Sequence, residues 1–155
     1  MVEAPAERLF DALDDHARMS AHMNARSWML GGGRMETTTD EGEGRRVGSH
    51  IRLAGRVFGV RLFVDEVVTE HDRPRRKTWQ TVGEPRLLVI GPYRMGFDIE
   101  PSGPRSRLRV FIDYDLPSRG IARWIARVLG NWYARWCTRR MTEDAARRFS
   151  PDVSG

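Results

Sequence analysis

The sequence predicts an α+β domain in which a curved antiparallel sheet wraps around a long C-terminal helix, with two short helices near the N-terminus. Three observations support this fold class. Apolar residues recur at helical spacing at both ends of the chain, and they alternate with polar residues between about 28 and 116, which is the period of a strand. Turn-forming residues separate the alternating segments.

The N-terminal segment is predicted to form two short helices, at 5–13 and 16–23. Pro5 suits the first position of a helix, and Glu7 adds a favourable negative charge in the first turn. Asp14 and Asp15 can cap the second helix.

The middle of the chain is predicted to form a six-stranded antiparallel meander with one buried and one solvated face. Ile51 and Leu53, for example, alternate with Arg52 and Ala54. The predicted strands are 28–37, 47–57, 60–71, 76–82, 87–100 and 107–116, and the turn signals lie at 40–42, 72–74, 83–85 and 101–104.

The C-terminal segment is predicted to form one long helix. Pro117 ends the sheet, and Ser118 can cap a helix that runs to about Phe149. Seven apolar residues fall within one arc of about 140° of this helix, and Gly130 lies outside it. The seven are Ile121, Trp124, Ile125, Val128, Leu129, Trp132 and Trp136. We expect this arc to lie on the sheet.

Length and composition fit one domain over 1–150, followed by a disordered tail at 151–155. The chain has 155 residues, of which 40% are hydrophobic, enough for a substantial core. It contains neither an apolar run of about 18 residues nor an N-terminal signal pattern. We therefore expect a cytoplasmic protein without stable membrane insertion.

Charge and metal-ligating residues argue against several partners. The net charge is +5, but the arginines are spread along the chain without a basic stripe interleaved with aromatics, so no nucleic-acid partner is expected. Cys137 is the single cysteine, and the four histidines lack the spacing of a ligand set, so neither a metal nor another cofactor is expected. The sequence leaves the oligomeric state open.

Four short segments carry a family resemblance. They are APAERLF at 4–10, VGS at 47–49, VTEHDRPRR at 68–76 and SRL at 106–108. Through them nearly the whole chain resembles the START-like (SRPBCC) superfamily of helix-grip proteins, of the polyketide cyclase/dehydrase type. The resemblance implies lipid carriers, cyclases, dehydratases or chaperone partners as relatives.

The N-terminus departs from the superfamily pattern, in which a full strand precedes the first helix. Only Met1, Val2 and Glu3 stand before Ala4-Pro5. The strand is a stub, the start is misassigned, or the chain is a fragment. We expect an upstream strand-forming extension to raise stability, because it would cover an open sheet edge.

The predicted function is binding or carriage of a small hydrophobic or amphiphilic ligand, such as a lipid, a polyketide or an aromatic compound. The ligand would lie between the sheet and the C-terminal helix. The expected lining is Trp79, Met95, Phe97, Ile112, Tyr114, Trp132 and Trp136, with Arg139 at the mouth. Alternatively, the apolar residues are plain core and Arg139 pairs with Glu143, four residues away on the helix.

The second predicted function is a polyketide cyclase or dehydratase that uses an acid/base group in the same cavity. The sequence assigns no catalytic residue, and the candidates are Glu66, Tyr93 and Tyr114. Glu66 interrupts an apolar stripe. It either points inward with a raised pKa or marks a bulge or strand end, and the pattern favours the second. The two tyrosines either orient a ligand oxygen or pack with their hydroxyls at the rim.

Overall fold

The computed structural model describes residues 1–15, 34–57, 60–87, 91–115 and 121–149. The elements in chain order are α1 (Ala6–Asp14), β1 (Arg34–Thr39), β2 (His50–Val57), β3 (Val60–Asp72), β4 (Arg76–Arg86), β5 (Tyr93–Ser102), β6 (Arg105–Tyr114) and α2 (Ile121–Arg148). The second predicted helix, Ser118 and the tail at 151–155 lie outside the described residues. No helix in the described part of the chain is long and apolar enough to cross a bilayer.

The six strands form one antiparallel sheet in the order β1-β2-β3-β4-β5-β6. Apolar residues at every second position bury one face of the sheet, as in β3, where Leu62, Val64 and Val68 point inward. Two register irregularities interrupt the pairing of β3 with β4, and such bulges bend a sheet. The predicted helix-grip fold, with a short N-terminal helix, a curved sheet and a long C-terminal helix, is confirmed.

Strand β4 corrects one predicted boundary. The turn expected at 83–85 lies inside β4, which runs to Arg86 and pairs there with Phe63. Gly83 has a φ of +69°, a conformation that glycine adopts without strain, and it accommodates the extra residues of a bulge. Strand β5 accordingly begins at Tyr93 rather than at 87.

Helix α2 buries a different face from the predicted one in the part whose side chains are described. Gly130, Ala134 and Met141 are buried, whereas Leu129 is 44% exposed and Trp132 is 55% exposed. A Cβ at position 130 would lie 3.2 Å from the Tyr114 ring. Small residues therefore let the helix backbone approach the sheet closely, and the bulky side chains are displaced from that contact.

The buried apolar residues form two clusters. The larger one joins α1 to β4, β5 and the C-terminal half of α2, with Phe10 and Phe97 in edge-to-face contact at 5.5 Å between ring centroids. The smaller one lies on β2 and β3 and contains Ile51, Leu53, Leu62, Val64 and Val68. Tyr93 packs against both clusters, so it stands at the boundary between them.

The segment before α1 covers the edge of β6 with a single bridge. The Val2 amide donates to the Ser106 carbonyl at 2.8 Å, and the Ser106 amide donates back at 3.0 Å. The Ser106 hydroxyl also donates to the Ala4 carbonyl at 2.8 Å. The segment before α1 is thus tied to this edge at Val2 and Ala4.

Candidate functional site

Glu66 points into the interior of the sheet. Strand β3 runs without a break through this position, which pairs with Ile51 of β2 and Thr81 of β4. The side chain follows the buried alternation and is only 4% exposed. The irregularities of β3 lie on either side, between Phe63 and Asp65 and between Val68 and Glu70. The interpretation of Glu66 as a bulge or strand end is therefore wrong.

The Glu66 carboxyl accepts hydrogen bonds from two neutral donors. The Tyr93 hydroxyl donates to its Oε1 atom, and the Trp79 indole N–H also donates to the carboxyl group. Both donors stand at inward positions of adjacent strands, Trp79 on β4 and Tyr93 on β5. The carboxyl is thus oriented from two sides by groups that carry no charge.

Burial gives this carboxyl an unusual titration. It raises the pKa of Glu66 from 4.5 to about 7, and the hydrogen bonds from Tyr93 and Trp79 only partly oppose this. The charge of Asp65 raises the pKa further, and that of Lys77 lowers it. Both protonation states are therefore populated near neutral pH, which suits a group that gives and takes a proton.

A cavity of about 430 Å³ lies at one end of strands β4, β5 and β6. Its lining consists of Gln80, Thr81, Pro92, Tyr93, Arg94, Asp113, Tyr114 and Asp115. Tyr93 and Tyr114 are register partners on adjacent strands, so the lining contains two neighbouring aromatic residues. The volume is within the range of small-molecule sites. Because Tyr93 both lines the cavity and bonds to Glu66, it connects the buried carboxyl to the cavity.

Local contacts fix the chain around Tyr93. Its amide donates to the Thr81 hydroxyl at 3.2 Å, which ties the start of β5 to β4. The Asp115 amide donates to the Pro92 carbonyl at 2.8 Å, and the Gly91 amide donates to the Asp115 carbonyl at 2.9 Å. The loop before β5 is thereby joined to the end of β6 at the rim of the cavity.

The structure distributes the predicted lining residues over several environments. Trp79, Met95 and Phe97 are buried in the larger apolar cluster, and Ile112 packs against it. Tyr114 lines the described cavity. Of the helix residues, Trp136 is half-buried and Trp132 is largely exposed.

Arg139 lies in the solvated part of α2. Its side chain is 80% exposed, and its Nε atom donates to Glu143 Oε1 at 2.6 Å. The structure therefore places Arg139 in the intrahelical pair that the sequence left open as the alternative.

A second buried polar cluster was not predicted. Lys77 is fully buried, and its Nζ atom donates to Asp14 Oδ1 at 2.5 Å. His71 Nε2 lies 3.1 Å from both Asp14 oxygens. The available signal was a lysine two residues before Trp79, at an inward-facing position of β4. Its acidic partner is 63 residues away in sequence, so no local pattern could connect the two.

The polar residues that the structure describes do not gather into a metal site. Within the ranges described above, no group of three or more His, Cys, Asp and Glu side chains could hold a metal ion.

The fold defines the class as a helix-grip protein, in which the Tyr93–Glu66 pair lies beside an open cavity. Residues 1–149 match the family described as polyketide cyclase / dehydrase and lipid transport. The chain belongs to this family, and the predicted SRPBCC membership is confirmed.

Solved structures share the fold at low sequence identity. The Zhui aromatase/cyclase from a Streptomyces species is 16% identical with a TM-score of 0.64, over 99% of this chain and 93% of that one. A protein from Thermobifida fusca is 16% identical with a TM-score of 0.62, over 96% and 87%. Ara h 8.0201 is 11% identical with a TM-score of 0.60, over 93% and 91%. No curated protein matches the sequence.

Proposed function

We propose that this protein binds a small hydrophobic or amphiphilic molecule whose oxygen group is recognised at the Tyr93–Glu66 pair. One observation carries the proposal: the buried carboxyl of Glu66 is hydrogen-bonded to a tyrosine that lines a cavity of about 430 Å³. The description of the family, which includes lipid transport, supports this reading.

The two tyrosines of the lining favour a ligand with flat apolar parts, and its polar and charged residues, among them Arg94 and Asp113, favour a ligand that also carries polar groups. Tyr93 and Tyr114 offer ring surfaces for stacking, and the Tyr93 hydroxyl offers a hydrogen bond. A polyketide or another aromatic compound fits these features better than an unbranched lipid chain. The cytoplasmic location expected from the sequence remains a prediction.

The dehydration step of a polyketide cyclase or dehydratase is the second candidate function, favoured by the pKa of about 7 at Glu66. Through the Tyr93 hydroxyl, which donates to it, the carboxylate can take up a proton from a ligand carbon next to a carbonyl and return it to a hydroxyl on the adjacent carbon, which leaves as water. The C–H and C–O bonds break, a C=C bond forms, and the carboxyl ends as it began. Similarity to the Zhui aromatase/cyclase is consistent with this chemistry.

Fluorescence titration with N-phenyl-1-naphthylamine tests the binding proposal. We expect saturable binding to one site per chain, displaced by 2-naphthol. Tyr114→Ala removes a lining ring and is expected to weaken binding about tenfold. Trp132→Ala is the matched control: its side chain is 55% exposed and its loss should change the affinity less than about twofold.

The two variants also locate the site. If Trp132→Ala weakens binding and Tyr114→Ala does not, the ligand lies on the helix face predicted from the sequence. If the wild-type protein binds neither probe saturably, the proposed function is rejected.

A further inference from the structure

We propose that Glu66 sets the hydrogen-bonding direction of the Tyr93 hydroxyl, so that the cavity favours hydrogen-bond-donating ligands when Glu66 is ionised and also binds carbonyl ligands when Glu66 is protonated. Phenols and alcohols are the class expected with ionised Glu66, and ketones the class expected with protonated Glu66. The inference rests on the proposed ligand-binding function and adds the chemical class of the ligand.

The geometry makes Tyr93 the group that meets the ligand. Tyr93 lines the cavity and is partly exposed, whereas Glu66 is 4% exposed and stands behind it. The Tyr93 hydroxyl donates its hydrogen to Glu66 Oε1. A phenol has one hydrogen to donate, and an ionised carboxylate can only accept. With Glu66 ionised, the Tyr93 oxygen can therefore meet a ligand only as an acceptor, which suits a ligand hydroxyl.

Protonation of Glu66 reverses this arrangement. A carboxylic acid can donate to the Tyr93 oxygen, which releases the tyrosine hydrogen toward the cavity. A ligand carbonyl, which only accepts, then gains a donor. The Trp79 indole N–H donates to the carboxyl group and has no acceptor role, so it can hold the carboxyl in place in both states.

The burial of Glu66 and the charges near it set the pH at which its protonation changes close to neutrality. On β3 the neighbouring charge is Asp65, whose own partners are His50 at 3.0 Å and Arg52 at 3.4 Å. On β4 it is Lys77, which is held by Asp14 of α1 at 2.5 Å. The inward neighbour of Glu66 on β2 is Ile51, and the charged residues of the cavity lining on β5, on β6 and just after it are Arg94, Asp113 and Asp115. Burial raises the pKa of Glu66 to about 7, so ordinary buffers reach both states.

Two probes with the same ring system test the proposal. 2-Acetylnaphthalene can only accept hydrogen bonds, whereas 2-naphthol can donate and accept, and its phenol stays protonated below about pH 9. Dissociation constants are measured by fluorescence between about pH 5.5 and pH 8.5. We expect the ketone to lose about fivefold in affinity across this range, with a midpoint near pH 7, because one net hydrogen bond is lost. The affinity for 2-naphthol should stay within about twofold.

Three variants test which residues cause the pH dependence of ketone binding. Glu66→Gln supplies an amide that donates and accepts at every pH, so the ketone profile should become flat. Tyr93→Phe removes the hydroxyl and should also flatten it. His71→Gln is the control for the other buried polar cluster and should leave the wild-type profile unchanged.

The outcomes separate this inference from the proposed function. If both probes bind with a ratio of affinities that does not vary with pH, the switch is rejected and ligand binding stands. A profile that persists in Glu66→Gln and disappears in His71→Gln also rejects the switch. If neither probe binds saturably to the wild-type protein, the switch and the proposed function fall together.

Discussion

Lys77 and Glu66 are two buried ionisable side chains on neighbouring strands, and their surroundings differ. Lys77 on β4 is fully buried and contacts the carboxylate of Asp14 at 2.5 Å. Glu66 on β3 is 4% exposed, and its hydrogen-bond donors are the neutral Tyr93 and Trp79. The first group is in direct contact with an opposite charge, whereas the second accepts its hydrogen bonds from neutral groups.

The difference in their surroundings indicates that the two buried groups have different roles. Burial lowers the pKa of Lys77, but the hydrogen bond and the charge of Asp14 act in the opposite direction and favour the charged form. For Glu66, burial outweighs every other effect and the pKa rises to about 7. A compensated pair is suited to joining α1 to the sheet, whereas an uncompensated carboxyl changes its charge easily beside a cavity. Perturbed titration of this second kind is typical of functional sites.

The largest expected effect comes from breaking the compensated pair. Asp14→Asn keeps the shape of the side chain but leaves Lys77 buried beside a neutral amide. We expect a loss of about 3–5 kcal/mol in the free energy of unfolding, measured with urea, because one partner of a buried ion pair has been removed. Asp11→Asn on the same helix is the control. It breaks an exposed pair with Arg73 and should cost far less. Equal losses in the two variants would contradict the structural role of the Asp14–Lys77 pair.

The second-largest expected effect is a pH dependence of the free energy of unfolding that results from the titration of Glu66. The pKa is about 4.5 in the unfolded chain and about 7 in the folded one, so the folded state holds the proton more tightly. The protonated Glu66 carboxyl therefore contributes fully to the stability of the folded state below about pH 4.5, and this contribution is lost as pH rises through about 7. The loss is roughly 3 kcal/mol, since each pKa unit corresponds to about 1.4 kcal/mol.

Glu66→Gln isolates this contribution. Relative to the wild type, the variant should gain stability between about pH 4.5 and pH 7 and then stay level. Denaturant unfolding at a series of pH values measures the difference. A constant difference over this range would show that Glu66 titrates normally.

A smaller effect is expected from Tyr93→Phe. The Tyr93 hydrogen bond lowers the pKa of Glu66 against the effect of burial, so its removal should raise that pKa further above 7. We expect the free energy of unfolding to fall by about 1 kcal/mol above neutral pH, because the Glu66 carboxylate of the variant lacks the hydrogen bond from position 93. The pKa is measured by carbon NMR of the Glu66 carboxyl. Tyr114→Phe, on the register partner, should leave it unchanged.

The smallest effect is expected from Arg139→Met. The side chain is 80% exposed and is held by Glu143 within the same helix. We expect the affinity for N-phenyl-1-naphthylamine to change less than about twofold and the melting temperature to stay the same. A tenfold loss of affinity at an unchanged melting temperature would support the position at the cavity mouth that the sequence suggested.

The periodic spacing of apolar residues predicted most of the fold. The alternation of Leu62, Val64 and Val68 identified β3 and its buried face, because a strand exposes its two faces to different environments at every second residue. The same alternation, followed strictly, places Glu66 inside. The sequence analysis favoured a bulge or strand end there, but Tyr93 and Trp79 donate hydrogen bonds to the buried carboxyl through contacts that no local pattern contains.

For helix α2, the spacing of apolar residues predicted the helix but not the face that it buries. A hydrophobic arc predicts which face is buried only when side-chain hydrophobicity decides the packing. Here Gly130 and Ala134 are buried because the sheet needs a close backbone approach beside Tyr114, and Trp132 is turned outward. Which face a helix offers to a curved sheet depends on the shape of that sheet.

The sequence by itself determined the order of the elements, the alternation of the strands and the family of the protein, because these depend on residue spacing and short local motifs. The tertiary structure decided which polar groups meet. It brought Asp14 to Lys77 across 63 residues and Tyr93 to Glu66 across 27. Asp14 compensates the buried charge of Lys77, whereas burial of Glu66 beside neutral donors raises its pKa to about 7, since the effect of desolvation depends on the partners that folding brings within hydrogen-bonding distance.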